Sequence, residues 1–201
     1  TVVNLLTRFY DIDGGSITLD GESIYDIPKK KLRGSIGIVL QDTVIFNDTI
    51  MQNIRYGRLD ATDEEVIAAA KTAKVADFAE KMADGYDTML TEGGGNLSQG
   101  QRQLIAIARA VLADPKILIL DEATSSIDTR TEVHIQEAML ALMKGRTSLI
   151  IAHRLSTIRD ADKIVVIDGG KVVEAGNHEK LLSENGAYAR LYNTQFAGIK
   201  T

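Results

Sequence analysis

The chain has 201 residues, of which 44% are hydrophobic and 25% are charged, a composition typical of one globular domain with a sizeable core. Its 28 acidic and 23 basic residues give a net charge of −5, which disfavours nucleic-acid binding because such proteins concentrate basic surface. Cysteine is absent, which excludes disulfides and thiolate metal sites. No apolar run approaches the roughly 18 residues that span a bilayer, so we expect a membrane role to depend on a partner or on further sequence.

The first predicted element is a helix over Thr1–Tyr10. Its apolar stripe consists of Val2, Val3, Leu5, Leu6 and Phe9. Because the stripe begins almost at residue 1, with no strand or loop ahead of it, we expect the helix to continue from a preceding segment. A natural start with Thr1 as the N-cap is the alternative. Further on, the alternation over Ser16–Asp20 predicts a strand, and the basic run Lys29–Arg33 indicates a solvated helix face.

Three apolar runs are typical of buried parallel strands, and each is followed by a polar side chain. The runs are Ile36–Leu40 before Gln41, Ile117–Leu120 before Asp121 and Glu122, and Thr147–Ala152 before His153. Ligands of open α/β sheets bind beyond the carboxyl ends of the strands, so these side chains share one crevice if the strands are neighbours. Each residue alone also fits an ordinary loop hydrogen bond, and the coincidence of three favours a site.

The pair Asp121-Glu122 is the strongest single element. The first carboxylate suits Mg²⁺, a hard cation that prefers oxygen ligands. The second carboxylate can then orient or deprotonate a water molecule in line with a bound phosphate. The alternative is that the pair simply starts a loop, which four consecutive aliphatic residues before it make the weaker interpretation.

Between about Thr49 and Ala113 the sequence predicts helices only. Thr62 and Glu65 form a capping box, and Asp114-Pro115 ends the last helix of the segment. The pattern indicates a helical insert within an α/β core. Towards the end of the chain, residues 163–173 predict a β-hairpin around the turn Asp168-Gly169-Gly170-Lys171.

A glycine-rich loop over Gly93–Gln101 leads into one of these helices. Free backbone N–H groups and the positive end of a helix make such a junction an anion site. Ser98 adds a hydroxyl group, and Gly100 allows a phosphate to approach the backbone. Taken alone the signal is weak, because glycine-rich loops before helices are common.

These motifs together resemble the ABC ATPase family over the whole length of the chain. Leu97–Gln103 resembles the ABC signature motif, Ile117–Ser125 the Walker B strand, Gln41 the Q-loop glutamine, Ser126-Ile127-Asp128 the D-loop, and His153 the switch histidine. The segments 53–57, 91–93 and 161–166 resemble exporter nucleotide-binding domains. Gln99 departs from the signature's usual second glycine.

The sequence also contains no G-x-x-x-x-G-K-[ST] motif. In the family this Walker A motif immediately precedes a helix like Thr1–Tyr10. We therefore expect the chain to be cut just after Walker A, so that the N-terminal strands and the P-loop are missing from it.

The resemblance implies an α/β fold, a RecA-like P-loop NTPase core with a mainly parallel sheet and an inserted ABC-type helical subdomain. Residues 1–44 and 114–201 would form the ATP-binding core, and residues 45–113 the helical signature subdomain. It further implies an ATPase that couples ATP-driven domain dimerisation to transport across a membrane, while the 201-residue chain by itself is expected to be inactive.

The same resemblance implies ATP and Mg²⁺ as cofactors and a role for each site residue. The catalytic residues would be Glu122 and His153, the cofactor-binding residues Gln41, Ser98, Gly100, Gln101 and Asp128, and the metal ligands Asp121 and Gln41. The implied partners are a transmembrane domain upstream in the same polypeptide and a second nucleotide-binding domain, identical or different, with no nucleic acid. The implied location is the cytoplasmic face of the cell membrane.

Two alternatives stay open. One is a soluble ABC ATPase that acts on nucleic acid or ribosomes, which the lack of a dense basic surface and the exporter-like segments disfavour. The other is a non-catalytic fragment that only binds partners. Several upstream spans of about 20 apolar residues would discriminate the exporter from the first alternative, and the sequence upstream of Thr1 would discriminate it from the second.

Overall fold

The computed structural model describes residues 2–40, 43–121, 127–152 and 159–197. They fall into two units, residues 1–151 and residues 152–201. The elements of the first unit are α1 (Val2–Leu6), β1 (Thr18–Leu19), β2 (Glu22–Ser23), α2 (Lys29–Gly34), β3 (Ile36–Val39), α3 (Ile50–Arg55), α4 (Asp63–Thr72), α5 (Ala76–Ala79), α6 (Gln99–Ala113), β4 (Ile117–Asp121), α7 (Thr129–Met143) and β5 (Thr147–Ile151). Two single 3₁₀ turns, Gly85–Asp87 and Glu92–Gly94, lie between α5 and α6.

The sheet of the first unit is parallel, with the order β3-β4-β5 among the described residues. This confirms that the three polar-ended strands are neighbours and that the fold is α/β with a parallel sheet. The central strand β4 is fully buried at Leu118, Ile119 and Leu120. The prediction that all three runs are buried was too broad, because Ile38 on β3 and Leu149 on β5 are each 37% exposed. Both strands pair only with β4 in the described part of the chain, so one edge of each lacks a neighbour.

Helices account for every element between residues 50 and 113, apart from one isolated bridge that joins Thr49 to Met89. Thr62 and Glu65 form the predicted capping box at the start of α4. The long helix α6 buries Leu104, Ile107 and Ala108, as its apolar spacing predicts, and ends at Asp114 in the left-handed conformation with a φ of 48°. The boundaries 1–44, 45–113 and 114–201 of the predicted subdomains stay a prediction.

Two N-terminal elements are shorter than the sequence suggests. The helix α1 ends at Leu6 and buries none of its residues, so the predicted stripe through Phe9 is not a core face in the described structure. The predicted strand over residues 16–20 shrinks to the two residues of β1. The reason is local, since Asp20 and Gly21 adopt positive φ values of 50° and 87° and turn the chain directly into β2.

The second unit consists of β6 (Ile164–Asp168), β7 (Lys171–Gly176), α8 (His178–Ser183) and α9 (Ala187–Ala197). The predicted hairpin is confirmed, with Gly169 and Gly170 at φ values of 53° and 77°, the signs that a two-residue type I′ turn requires. On β7, the Glu174 carboxylate accepts hydrogen bonds from the first backbone N–H groups of α9. In the part of the chain that the structure describes, no helix combines the length and apolarity needed to cross a membrane.

Candidate functional site

Asp121 occupies the last position of the central strand, at the carboxyl edge of the sheet. It pairs with Ile151 on β5, while its predecessor Leu120 pairs with Val39 on β3, so the three strands end at nearly the same level. Its half-buried carboxylate has an interaction within the structure. Three predicted site residues, Gln41, Glu122 and His153, lie outside the described residues. Their convergence with Asp121 therefore stays a prediction.

The loop that precedes α6 depends on glycine and on one arginine. Gly93 and Gly94 have positive φ values of 69° and 67°, a conformation that L side chains rarely adopt. Arg102 reaches back from the first turns of α6, and its Nη1 donates to the carbonyl oxygens of Leu97 at 2.8 Å and Gly94 at 3.3 Å. Arg102 thus holds the loop at a fixed position relative to the helix. Sequence reasoning did not single it out, because its partners are backbone carbonyl groups.

Ser98 and Gln101 form a reciprocal cap at the start of α6. The Ser98 Oγ accepts a hydrogen bond from the Gln101 N–H at 3.2 Å, and the Gln101 Oε1 accepts one from the Ser98 N–H at 2.9 Å. The sequence signal for this arrangement was present, since Ser-x-x-Gln is a capping-box pattern. The cap uses the Ser98 oxygen as an acceptor and leaves its hydroxyl proton available to donate.

The first turn of α6 offers further donors. Gln99 and Gly100 occupy the first two helical positions, whose N–H groups have no acceptor within a helix. The helix is 15 residues long, so its aligned peptide dipoles add a positive field at this end. Two backbone N–H groups, a hydroxyl group and the positive end of a helix dipole at one helix terminus favour an anion such as a phosphate.

Gly100 also lies where α6 packs against Ile127 and the start of α7. A Cβ atom at this position would lie 2.2 Å from Thr131 Cγ2 and 3.2 Å from Ile127 Cγ2. Helix α6, which contains the signature motif, therefore contacts the start of α7 at a distance that only glycine allows. The sequence predicts only that Gly100 allows a phosphate to approach, whereas the structure gives this glycine a packing role as well.

Asp128 is the N-cap of α7. Its Oδ1 accepts a hydrogen bond from the Thr131 N–H at 3.0 Å. This hydrogen bond from the Thr131 backbone, together with one from the Thr131 side chain, holds the pKa of the Asp128 carboxyl below its ordinary value. The family resemblance gave Asp128 a role across a dimer, and the capping role was missed although aspartate before a helix is a frequent N-cap.

The Asp121 carboxylate at the sheet edge is an oxygen ligand of the kind that Mg²⁺ takes. Mg²⁺ in proteins takes one or two carboxylates together with water and substrate phosphates. Asp121 supplies such a carboxylate at the carboxyl end of β4, where ligands of open α/β sheets bind. The arrangement therefore suits a phosphate-bound cation held at the end of one buried strand.

Comparison with known proteins places these features in a family. The family described as ABC transporter matches residues 1–125. An uncharacterized ABC transporter ATP-binding protein, YfiC of Bacillus subtilis (strain 168), is 58% identical over 196 residues, which cover 98% of this chain and 32% of that protein. The ATP-dependent lipid A-core flippase of Hahella chejuensis (strain KCTC 2396) is 55% identical over 198 residues, covering 98% of this chain and 34% of the flippase.

A solved structure, that of a bacterial Atm1-family ABC exporter with ATP bound, matches with a TM-score of 0.89 and 48% sequence identity. The match covers 96% of this chain and 34% of the exporter chain. The chain thus spans about a third of the length of the curated relatives that it matches. With a family match over more than half of its residues and the glycine loop, helix cap and strand-end aspartate in the family's order, the chain belongs to the ABC transporter ATP-binding family.

Proposed function

We propose that this chain is the ATP-binding and ATP-hydrolysing part of an ABC exporter, in which ATP-driven association of two such domains is coupled to transport across a membrane. The observation that carries the proposal is the start of α6, where the Ser98 hydroxyl lies beside the first helical N–H groups, which have no acceptor within the helix. Its fold and sequence likeness to an exporter with ATP bound, over nearly the whole chain, supports the same assignment.

The hydrolytic chemistry is assigned to the carboxyl edge of the sheet. Asp121 would hold Mg²⁺, with Gln41 as a further ligand or as a sensor of the γ-phosphate. The bound ion would neutralise negative charge on the phosphates. Glu122 would act as the general base that takes a proton from the attacking water, and His153 would contact the γ-phosphate and stabilise the charge that develops in the transition state.

The second half of each site would come from another domain. Ser98, Gly100 and Gln101 would contact ATP that is held by the sheet edge of a partner domain, identical or different. Asp128 would lie near the partner's site, because the start of α7 packs directly against Gly100. The Ser98 hydroxyl donates a proton readily in this position, since its oxygen already accepts a bond from Gln101 N–H.

An exposed apolar face on the first unit would bind the membrane partner. The ring centroids of Phe46 and Tyr56 lie 4.3 Å apart, and these side chains are 41% and 47% exposed. Val44 is 65% exposed. We call these three residues the docking face. The relatives are about three times as long as this chain, which leaves ample sequence for a transmembrane domain that covers such a face.

This arrangement would place the chain at the cytoplasmic face of the cell membrane, connected to a transmembrane domain upstream in the same polypeptide. Binding of ATP would close two domains around the nucleotide, and hydrolysis with loss of phosphate would reopen them. The docking face and the helices between residues 50 and 113 would pass this motion to the membrane domain.

The test is Glu122→Gln in the full-length protein. The amide keeps the shape of the side chain but cannot accept a proton, so we expect the turnover of ATP to fall about 10²–10⁴-fold while ATP binding and ATP-driven dimerisation persist. Turnover is measured by phosphate release, and binding by equilibrium titration with Mg-ATP.

Glu137→Gln is the matched control. It makes the same chemical change at an exposed carboxylate of α7, which pairs with Lys74 at 3.1 Å, and surface ion pairs contribute at most about 1 kcal/mol. We expect its turnover to equal that of the parent protein. Turnover of the Glu122 variant within a factor of two of the parent would remove Glu122 from the role of base.

A further inference from the structure

Arg109, near the end of α6, makes three hydrogen bonds to the segment that follows Gln41 in sequence and to α3. Its Nη1 donates to the carbonyl oxygen of Val44 at 2.5 Å, its Nε to the carbonyl oxygen of Asn53 at 2.6 Å, and its Nη2 to Asn53 Oδ1 at 2.7 Å. The guanidinium carbon also lies 5.3 Å from the centre of the Phe46 ring. One side chain therefore joins α6 to two residues of the docking face.

Asn53 completes the connection from the other side. It is fully buried, and its Nδ2 donates to the carbonyl oxygens of Phe46 and Thr49 at 3.0 Å each. Its Oδ1 accepts from the Phe46 N–H at 3.0 Å as well as from Arg109. The backbone of Phe46 and Thr49 is thus bonded to Asn53, Asn53 is bonded to Arg109, and Arg109 itself bonds Val44.

The opposite end of α6 carries the proposed phosphate site, formed by Ser98, Gln99 and Gly100, which we call the anion junction. Ser98 caps this helix, and Arg109 follows eleven positions later, a separation of about 16 Å along a continuous helix. A continuous helix can carry a displacement of one end to the other, and Arg109 is a side chain that bonds this helix to Val44 and Asn53.

The chemistry of the connection requires a guanidinium group. Three acceptors in a fixed arrangement match the planar fork of arginine, whereas a lysine ammonium presents a single point of charge. Burial lowers the pKa of Arg109, and no carboxylate partner lies among the described residues. Burying a cation against neutral acceptors is costly, and apolar residues fill such sites at lower cost in stability. The position is therefore better suited to fixing geometry than to adding stability.

We infer that Arg109 is a positioning residue that couples the docking face to the signature helix, so that the membrane partner and the Ser98 junction move together. This inference rests on the proposed function, because it assigns a mechanical role within ATP-driven transport. Arg109 acts in this role through its contacts with Val44, Phe46 and Asn53.

The experiment compares Arg109→Lys with the parent in the full-length protein reconstituted in lipid. Hydrogen exchange of the peptides that cover residues 43–49 reports the connection, and the kcat and KM of ATP hydrolysis report its effect. We expect at least tenfold faster exchange in this segment, a kcat at least tenfold lower, and a KM within a factor of two. Exchange within the first turns of α6 should not change.

Arg146→Lys is the matched control, because Arg146 also bonds a backbone carbonyl, that of Leu142, and an aspartate, Asp114, away from the docking face. It should leave both readouts within a factor of two. If Arg109→Lys does not fold, Arg109→Gln takes its place, since it removes the buried charge and retains one donor group.

Several results would overturn the inference. They are unchanged exchange in residues 43–49, faster exchange there with an unchanged kcat, a raised KM that accounts for the loss of rate, or an equal loss of kcat in Arg146→Lys. A parent protein that hydrolyses no ATP contradicts the proposed function instead, and is recognised before any variant is compared.

Discussion

The Asp128 carboxylate illustrates how one residue combines a structural task with a proposed functional one. It caps α7 through the Thr131 N–H, and its pKa is held below the ordinary value by that bond. Under the proposed function it also lies near the site of a partner domain. Asparagine separates the two tasks, because it is as good an N-cap as aspartate but carries no charge.

We predict that Asp128→Asn keeps the stability of the parent near pH 7 and lowers ATP turnover, whereas Asp128→Ala lowers both. The alanine variant loses the hydrogen bond from the Thr131 N–H that caps the helix. Thermal unfolding of the full-length protein gives the first quantity, and phosphate release gives the second. Equal turnover in the parent and the Asn variant would leave Asp128 with its capping role alone.

The lowered pKa of Asp128 adds a pH dependence with a defined sign. A carboxyl group whose pKa is lower in the folded state stabilises the protein above its unfolded pKa of about 4, and this contribution is lost as the pH falls through the folded value. The Asn variant should lack this loss. Measuring both proteins from pH 6 downward therefore provides an internal control for the capping assignment.

Whether a hydrogen bond could be predicted from the sequence depended on the group that accepts it. Ser98 and Gln101 could be paired from the spacing alone, because a capping box is local. Arg102 and Arg109 could not, since most of their acceptors are backbone carbonyl groups, and any residue type supplies a carbonyl. The charge of Arg109 within an apolar helical face was the single available hint.

At the scale of elements, α6 joins the anion junction, the contact with α7 and the connection to the docking face. Its N-cap residue, Ser98, is exposed, and the cap fixes the direction of that side chain. A large group introduced there projects into the space that the proposed partner nucleotide occupies. The rest of α6 is packed against the core and should not respond.

We predict that Ser98→Arg abolishes ATP-driven dimerisation while ATP binding by the single domain survives, because the binding half at the sheet edge is untouched. The measurement is size-exclusion chromatography with ATP in the Glu122→Gln background, where the closed dimer accumulates. Ser98→Thr is the control, since threonine retains both the cap and the hydroxyl group. A dimer fraction equal to that of the parent would count against the anion junction.

Helices and strands could be predicted from the sequence where their burial determines the pattern of apolar residues. The strand β4 is buried on both faces, so it appears as an unbroken aliphatic run, and its end at Asp121 was found within one residue. The strand expected over residues 16–20 failed because turn geometry at Asp20 and Gly21 overrode the alternation. Alternation reports which faces are apolar, but it carries no information on where the chain turns.

At the scale of the whole molecule, the sequence of this chain lacks the Walker A motif that supplies phosphate ligands in its family. Such a loop contributes several backbone N–H groups and a lysine. Hydrogen bonds to charged groups contribute roughly 1.5–3 kcal/mol each, so the absence of three costs on the order of 6 kcal/mol, or about 10⁴ in affinity.

We therefore predict that the 201-residue chain on its own binds Mg-ATP with a dissociation constant of about 10 mM or weaker, starting from a typical micromolar site. It should show no measurable hydrolysis. Isothermal calorimetry with the purified chain measures the first, and phosphate release the second. A dissociation constant below about 100 μM would show that the residues present here suffice to hold the nucleotide.

The contact between Gly100 and Thr131 constrains how this family member can evolve. A Cβ at position 100 would lie 2.2 Å from the Thr131 methyl group, so every other residue at position 100 meets a clash before any effect on ATP arises. Loss of the methyl group at position 131, for example by a change to serine, removes the shortest of these contacts, but Ile127 Cγ2 would still lie 3.2 Å from the new Cβ. A side chain at position 100 therefore needs compensating changes at positions 127 and 131, and we expect the three positions to vary together.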